Sequence, residues 1–274
     1  MKNVTVELNN RKFDIPVEGE TVYGAEEVLL LKDDDLTRDT DWSAEGYSVQ
    51  RFLGAGDYAR LVSGVQELIA KEMSSFVDPA MQSSFRLENY HNFVETDERH
   101  LGLVNRTREG FPLADLPVDL PLLEARLSEI CGAEITAANP KFKSQIFFIR
   151  IIRPAGKPDN NPPHRDVWLN YYRSCINIYV PLAGSNELSS LPMVAGSHLW
   201  KESEIQRTIA GAKVQGVAYR VPSVTDAKRP LVFVRPNPKP NEMIVFSPYL
   251  IHGGGVNWNS DQTRVSLEMR FFRK

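Results

Sequence analysis

The sequence predicts a β-sandwich or jelly roll with helices outside it. From residue 144 onward, runs of β-branched and aromatic residues recur, punctuated by Pro, Gly and Asn. They place strands near 144–153, 173–181, 190–195, 230–235, 243–248 and 264–272. These strands do not alternate with helices, which argues against a parallel α/β sheet. The chain has 274 residues, enough for a substantial core, and elaborated β domains routinely reach that length.

We therefore expect one domain over 1–274. Residues 1–45 would be an N-terminal hairpin and extension, 46–140 a largely helical support, and 141–274 the β core with an insertion at 207–229. The hairpin is read from Val4–Leu8 and Arg11–Ile15 around the turn Asn9-Asn10. Residues 55–72 put Tyr58, Leu61, Val62, Val65, Leu68 and Ile69 at helical spacing. A second helix over 121–131 carries Leu122, Leu123, Leu127 and Ile130, and 74–118 reads as short helices and loops. Residues 207–229 are polar and long enough for a lid, and the loop 154–163 would close with them.

Composition narrows the function. With 42% hydrophobic and 24% charged residues the chain is ordinary for a globular protein. A net charge of -3 gives no bulk attraction to nucleic acid or anionic membrane. No basic, then apolar leader and no membrane-length apolar run is present, so a cytoplasmic protein without membrane or nucleic-acid partners is expected. Cys131 and Cys175 lack CxxC spacing and read as buried free thiols. The sequence does not address the oligomeric state.

Four residues carry the chemistry. His164 and Asp166 form a His-x-Asp pair, His252 follows the apolar run Met243–Phe246, and Arg264-x-Ser266 comes twelve positions later. Residues i and i+2 of an extended segment point the same way, so His164 and Asp166 can meet one ion, with Pro162-Pro163 stiffening their approach. Two imidazoles and a carboxylate make a facial set for Fe(II) with open positions. Gly253-Gly254-Gly255 after His252 lets the backbone approach closely. Alternation puts Arg264, Ser266, Glu268 and Arg270 on one strand face, where Arg264 could hold the far carboxylate of 2-oxoglutarate and Ser266 could assist.

These residues resemble the phytanoyl-CoA dioxygenase-like branch of the Fe(II)/2-oxoglutarate-dependent oxygenases. The similarity runs from about Gly46 to the C-terminus. It rests on Gly46-Tyr47-Ser48-Val49, Asp57–Leu61, His164-Arg165-Asp166, Leu191–His198, Asn241–Phe246 with His252, and Arg264-Val265-Ser266. Two positions depart from the usual pattern: Ala195 stands for Pro, and Asn241-Glu242 for Gly-Asp. The resemblance implies a double-stranded β-helix (cupin-like jelly roll) core. It also implies iron on His164, Asp166 and His252, 2-oxoglutarate on Arg264, O2 as oxidant, and cytosolic hydroxylation of a small molecule. A carboxylate at 166 points to hydroxylation or desaturation, because halogenating relatives lack that ligand.

Further candidates are weaker. Asn177 and Tyr179 share a strand face and could bond the co-substrate or form an outward polar face. Gln145 resembles a co-substrate contact. Trp168, Asn170, Tyr171 and Tyr172 follow the pair closely; Trp168, Asn170 and Tyr172 are the candidates for substrate contact, beside a plain core or rim role. His198 reads as structural, His91 and His100 as surface residues, and Arg150, Arg153, Arg220 and Arg235 as solvated charges that could meet an anion. Two other functions remain open: a jelly-roll sugar- or small-molecule-binding protein, and a cupin metalloenzyme independent of 2-oxoglutarate. The second usually needs more histidine than the five present.

Overall fold

In the computed structural model the chain is described over residues 1–33, 35–109, 117–141, 146–157, 159, 161–214 and 216–274. It opens with β1 (Lys2–Leu8) and β2 (Arg11–Glu18), fully paired from Lys2↔Val17 to Leu8↔Arg11. Asn9 and Asn10 turn the hairpin with φ of 53° and 58°, a conformation Asn tolerates better than most residues. β3 (Thr21–Tyr23) and β4 (Tyr47–Arg51) follow.

α1 (Ala55–Met73) buries Leu61, Val65, Ile69 and Met73 at 0% exposure, one stripe at i, i+4, i+8 and i+12. Fully burying such side chains stabilises by roughly 1.5–3 kcal/mol each. The short α2 (Pro79–Gln82) and α3 (Asp97–Glu109) lead to α4 (Leu120–Cys131). The Asp119 carboxylate accepts from Leu122 N at the start of α4, and Gly132 ends it at φ 62°.

The remaining strands are β5 (Ile135–Thr136), β6 (Ile146–Ile152), β7 (Cys175–Ala183), β8 (Ile205–Thr208), β9 (Ala212–Val214), β10 (Val217–Tyr219), β11 (Val224–Ala227), β12 (Val232–Phe233), β13 (Glu242–Phe246) and β14 (Arg264–Arg273). The main sheet runs β4-β13-β7-β14, with β6 and β5 both pairing β14, and all its pairs are antiparallel.

The two faces of this sheet differ sharply. Ile149, Ile151, Ile176, Ile178, Met243, Val245, Val265, Leu267, Met269 and Phe271 share one core cluster with the buried stripes of α1 and α4. The opposite alternation on β7 and β14 turns Asn177, Tyr179, Arg264, Ser266, Glu268 and Arg270 inward, all buried. Across from that face, backbone bridges join His164 to His252, His252 to Met193, and Met193 to Val234. The two layers make the mainly β jelly roll with flanking helices that the sequence predicts.

Three details differ from expectation. Residues 190–195 form no strand and are held by the bridges at Met193. Residues 47–51 extend the main sheet as β4, although the sequence reads them as a lead into the helix. Residues 207–229 are tied to the N-terminal strands rather than free: β9 pairs β2, and β8, which pairs β3, also pairs β11. Among the described residues no helix is long and apolar enough to cross a membrane. Cys131 and Cys175 are buried free thiols, as expected.

Candidate metal and anion site

His164 and His252 are locked side by side by a reciprocal backbone pair, His164 N to His252 O at 2.9 Å and His252 N to His164 O at 3.0 Å. Their rings lie 4.4 Å apart. Asp166 begins a short 3-10 turn and is anchored by its N–H on Pro248 O at 3.0 Å. The three side chains are 3–4% exposed and bring one donor atom each within 4.8 Å of one another.

Hydrogen bonding fixes which atoms meet. His164 Nδ1 lies 2.7 Å from Pro162 O and His252 Nδ1 lies 3.0 Å from Leu250 O. A carbonyl only accepts, so each Nδ1 carries the proton and each Nε2 presents a lone pair. Both Nε2 atoms face Asp166 Oδ1, at 3.2 Å and 3.7 Å. Three electron-pair donors with no proton between them repel unless a cation sits among them. The donor set therefore fits a transition-metal ion, and the backbone carbonyls orient the imidazoles as outer partners of a metal site do. Burial, reinforced by the His164 ring and opposed by Asp166, lowers the His252 imidazole to about 4, so it is neutral and able to ligate near pH 7.

Asp166 Oδ2 is held from behind. Arg270 Nη2 forms an ion pair with it at 2.8 Å and Asn177 Nδ2 donates to it at 2.9 Å. Burial alone would raise the Asp166 carboxyl, but the Arg270 cation outweighs it and holds the group well below the usual carboxylate range. The Arg270 guanidinium lies 5.5 Å from the centres of both the Phe148 and Tyr172 rings. Gly253 closes the turn at φ 97°; a Cβ there would stand 2.6 Å from Pro162 O and 3.0 Å from His164 Nδ1.

Arg264 is 2% exposed, yet among the described residues its Nε and Nη1 have no hydrogen-bond partner, and neither does Ser266 Oγ at 0% exposure. The guanidinium lies 5.7 Å from the Tyr179 ring, whose hydroxyl bonds Ser185 Oγ at 2.9 Å. Buried polar groups are normally satisfied, and a buried cation normally has a counter-charge. Arg264, which borders the same recess as the two histidines, and Ser266 beside it on β14 thus carry an unmet demand for an anion. Arg235 lies near Arg264 but does not line the recess: burial and the charge of Arg264 both work against its cation, and it is held by Val256 O and the Trp258 ring.

The recess over the triad is lined by Arg150, Asn161, Leu191, Glu268, Arg264 and Arg270 besides the histidines, and measures only about 30 Å³. That is room for a water or two. A larger cavity of about 430 Å³ lies away from the triad, between β1 and the β11–β12 region, and holds none of these donors.

Other expected residues fall in several places. Asn177 faces inward but bonds Asp166. Tyr179 faces inward beneath Arg264. Gln145 lies outside the described residues. Trp168 donates from Nε1 to Glu202 Oε2 at 2.9 Å and does not line the recess. Asn170 is exposed, and Tyr172 packs on Arg270 with Cys175 and Phe272. His198 is structural, with Nε2 2.8 Å from Ser43 O and its ring against Gly46.

Two expectations are corrected. His100 is 3% exposed, between the Tyr90 hydroxyl at 3.1 Å and Asp159 at 3.4 Å. Arg153 is equally buried, bridging Asp97 and Asp159 at 2.7 and 2.8 Å and so tying Asp159 to α3. His91 is partly buried and bonds Thr263 Oγ1, whereas Arg220 is exposed as expected. Sequence reasoning also missed Arg165. Fully buried between His164 and Asp166, it pairs with Glu202 and donates to the Ser197 and Trp200 carbonyls. A charged residue between two ligand candidates, in an otherwise buried turn, was the available signal.

No family model and no curated protein matches the chain. Several solved structures are similar to it. EctD from S. alaskensis with 2-oxoglutarate and 5-hydroxyectoine is 15% identical, covering 94% of this chain and 86% of that one at a TM-score of 0.46. The epimerase SnoN in complex with Fe3+, alpha ketoglutarate and nogalamycin RO is 14% identical over 85% and 80%, at 0.45. AviO1 from Streptomyces viridochromogenes Tue57 is 15% identical over 91% and 96%, also at 0.45. At these levels the likeness assigns no residue its role.

Proposed function

We propose that this chain is an Fe(II)- and 2-oxoglutarate-dependent oxygenase acting on a small molecule. The observation that carries the reading is the pairing of two unmet demands in one recess. One is three convergent lone-pair donors on His164, Asp166 and His252; the other is the buried, unpaired Arg264 with Ser266. A cation answers the first and a carboxylate the second, and a metal-chelating dicarboxylate answers both.

In this reading the two Nε2 atoms and Asp166 Oδ1 hold the iron. Arg264 takes the distal carboxylate of 2-oxoglutarate and Ser266 adds a donor to it. Arg270 and Asn177 keep Asp166 ionised and aimed, and the carbonyls of Pro162 and Leu250 keep both imidazoles in the ligating tautomer. Bound iron would supply oxidative decarboxylation of the co-substrate by O2 to succinate and CO2, with the oxidising equivalent directed at a substrate C–H bond. The buried site keeps bulk water from that chemistry. We assign hydroxylation or desaturation as the outcome, and the phytanoyl-CoA dioxygenase-like branch as the family, from the sequence motifs.

The test is anaerobic addition of Fe(II) and then 2-oxoglutarate, followed by optical absorption, and release of succinate on admitting O2. A new visible band that requires both ligands, with succinate formed, is expected. Iron binding without any response to 2-oxoglutarate would favour a metalloenzyme that does not use this co-substrate. No metal binding at all would favour a small-molecule-binding protein.

A further inference from the structure

We propose that the substrate of this site carries a carboxylate, received beside the triad by Arg270 with Arg150 at the mouth. The inference rests on the oxygenase reading above and extends it to the substrate. Its first ground is Arg270. That guanidinium is 5% exposed and lines the recess, and only its Nη2 is used, on Asp166. Among the described residues its Nε and Nη1 are buried with no partner. The rings of Phe148 and Tyr172 fix its position, so it is a held cation with donors to spare rather than a mobile surface charge.

The second ground is position. Arg264 and Arg270 stand six residues apart on one face of β14, about 20 Å along an extended strand, so they serve opposite ends of the recess. The carboxylate assigned to Arg264 does not also satisfy Arg270. Between them Glu268 pairs with Arg150, which reaches in from β6. The Arg150 contacts are long: 3.2 and 3.5 Å to Glu268 and 3.3 Å to Asn161. Bonds of that length are easily exchanged, and the narrow recess must widen for any ligand larger than water. Arg150 and Asn161 are the groups at its mouth free to shift.

The third ground is charge balance. The groups around the recess comprise three guanidinia, Arg150, Arg264 and Arg270, against two carboxylates, Asp166 and Glu268. A divalent ion and a dicarboxylate co-substrate cancel each other. One positive charge is left over in a buried site, and a monoanion neutralises it. A neutral substrate leaves that charge unmet, and a phosphate ester overshoots it.

The experiment uses the full chain loaded with Mn(II) and saturated with 2-oxoglutarate under nitrogen. Calorimetry measures binding of a panel of small carboxylic and amino acids, each beside its primary amide and a phosphate monoester of similar size. Acids should bind roughly thirtyfold or more tighter than their amides. Arg150→Gln should weaken the acids about tenfold or more while Mn(II) and 2-oxoglutarate affinities hold. Arg270→Lys should weaken the acids further; because it also touches Asp166, its metal affinity is measured alongside. Acids and amides binding alike, phosphate esters binding best, or acids indifferent to Arg150→Gln would each overturn the proposal and leave the oxygenase reading standing. Wild-type protein that takes up neither Mn(II) nor 2-oxoglutarate sinks that reading, and this proposal with it.

Discussion

Replacing Arg264 with Met should stabilise the ligand-free protein and abolish its response to 2-oxoglutarate. Arg264 is 2% exposed, and two of its guanidinium nitrogens have no hydrogen-bond partner. A buried unsatisfied donor costs about 1–3 kcal/mol, and the uncompensated charge adds to that. Met keeps most of the volume, so little cavity is created, and the stacking lost on Tyr179 is worth about 0.5–1 kcal/mol. The net gain is on the order of 1–2 kcal/mol, or about 2–4 °C per kcal/mol in a chain of this size class. The bound carboxylate loses its charged partner, which costs about 2–5 kcal/mol, or roughly thirtyfold to several thousandfold in affinity. Thermal melts of Mn(II)-loaded protein across a 2-oxoglutarate titration read both quantities. The wild type should start lower and climb; the variant should start higher and stay flat. A variant that melts well below the wild type, or that keeps the wild-type climb, refutes the argument that Arg264 is an unpaired cation awaiting a carboxylate.

Other outcomes follow from the same geometry. His252→Ala should remove tight metal binding with modest loss of stability. Asp166→Ala should do the same and also cost about 3–5 kcal/mol, because it strands the buried Arg270 charge; equal melting of the two metal-free variants would count against that pairing. Gly253→Ala should destabilise by about 1–3 kcal/mol and weaken metal binding, since its Cβ would meet Pro162 O and press on His164; unchanged metal affinity by calorimetry would show that the turn simply shifts. His100 is pushed down to about 4 by burial, against the pull of Asp159. Its folded value lies below the unfolded one, so the unfolded chain binds the extra proton, and stability is lost as pH falls from about 6.5 to about 4. The loss is on the order of 3 kcal/mol. His100→Gln should flatten that limb in denaturant titrations and leave the one below about pH 4.5, where Glu268 (held near 2) protonates, in place.

Much of the site was legible because its chemistry follows chain order. His164 and Asp166 are two apart, His252 ends an apolar strand, and the alternation of β14 separates Arg264, Ser266, Glu268 and Arg270 from Val265, Leu267, Met269 and Phe271 by simple parity. What escaped depends on distant partners. β4 is half exposed and gives little periodic signal; pairing with β13 makes it a strand. β8 to β11 are three or four residues each, and they exist because β2 and β3 offer edges on which β9 and β8 pair, with β10 and β11 added outside them. His100 was misread although a signal existed: His100, Leu103 and Thr107 fall at i, i+3 and i+7 on α3, and all three are buried. The polar composition of α3 masked that stripe.

Unsatisfied atoms alone would not have singled out the site, because Arg153 Nη1 and Arg165 Nε also lack partners. The difference lies in charge. Arg153 is paired with Asp97 and Asp159, and Arg165 with Glu202, so each buried guanidinium already has its counter-ion, and one spare nitrogen costs little. Arg264 has no ion pair among the described residues, and Arg270 spends its only one on a carboxylate that also faces two imidazole lone pairs. A buried strand that carried such charges for stability alone would do better with the apolar residues it places on its other face. The polar parity of β14 is what the proposed ligands in the recess would require. Met at 264 removes a charge that has no ion pair among the described residues and should raise the melting temperature of the ligand-free chain, whereas Met at 270 strands the buried Asp166 carboxylate and should lower it; equal melting of the two variants would refute this distinction.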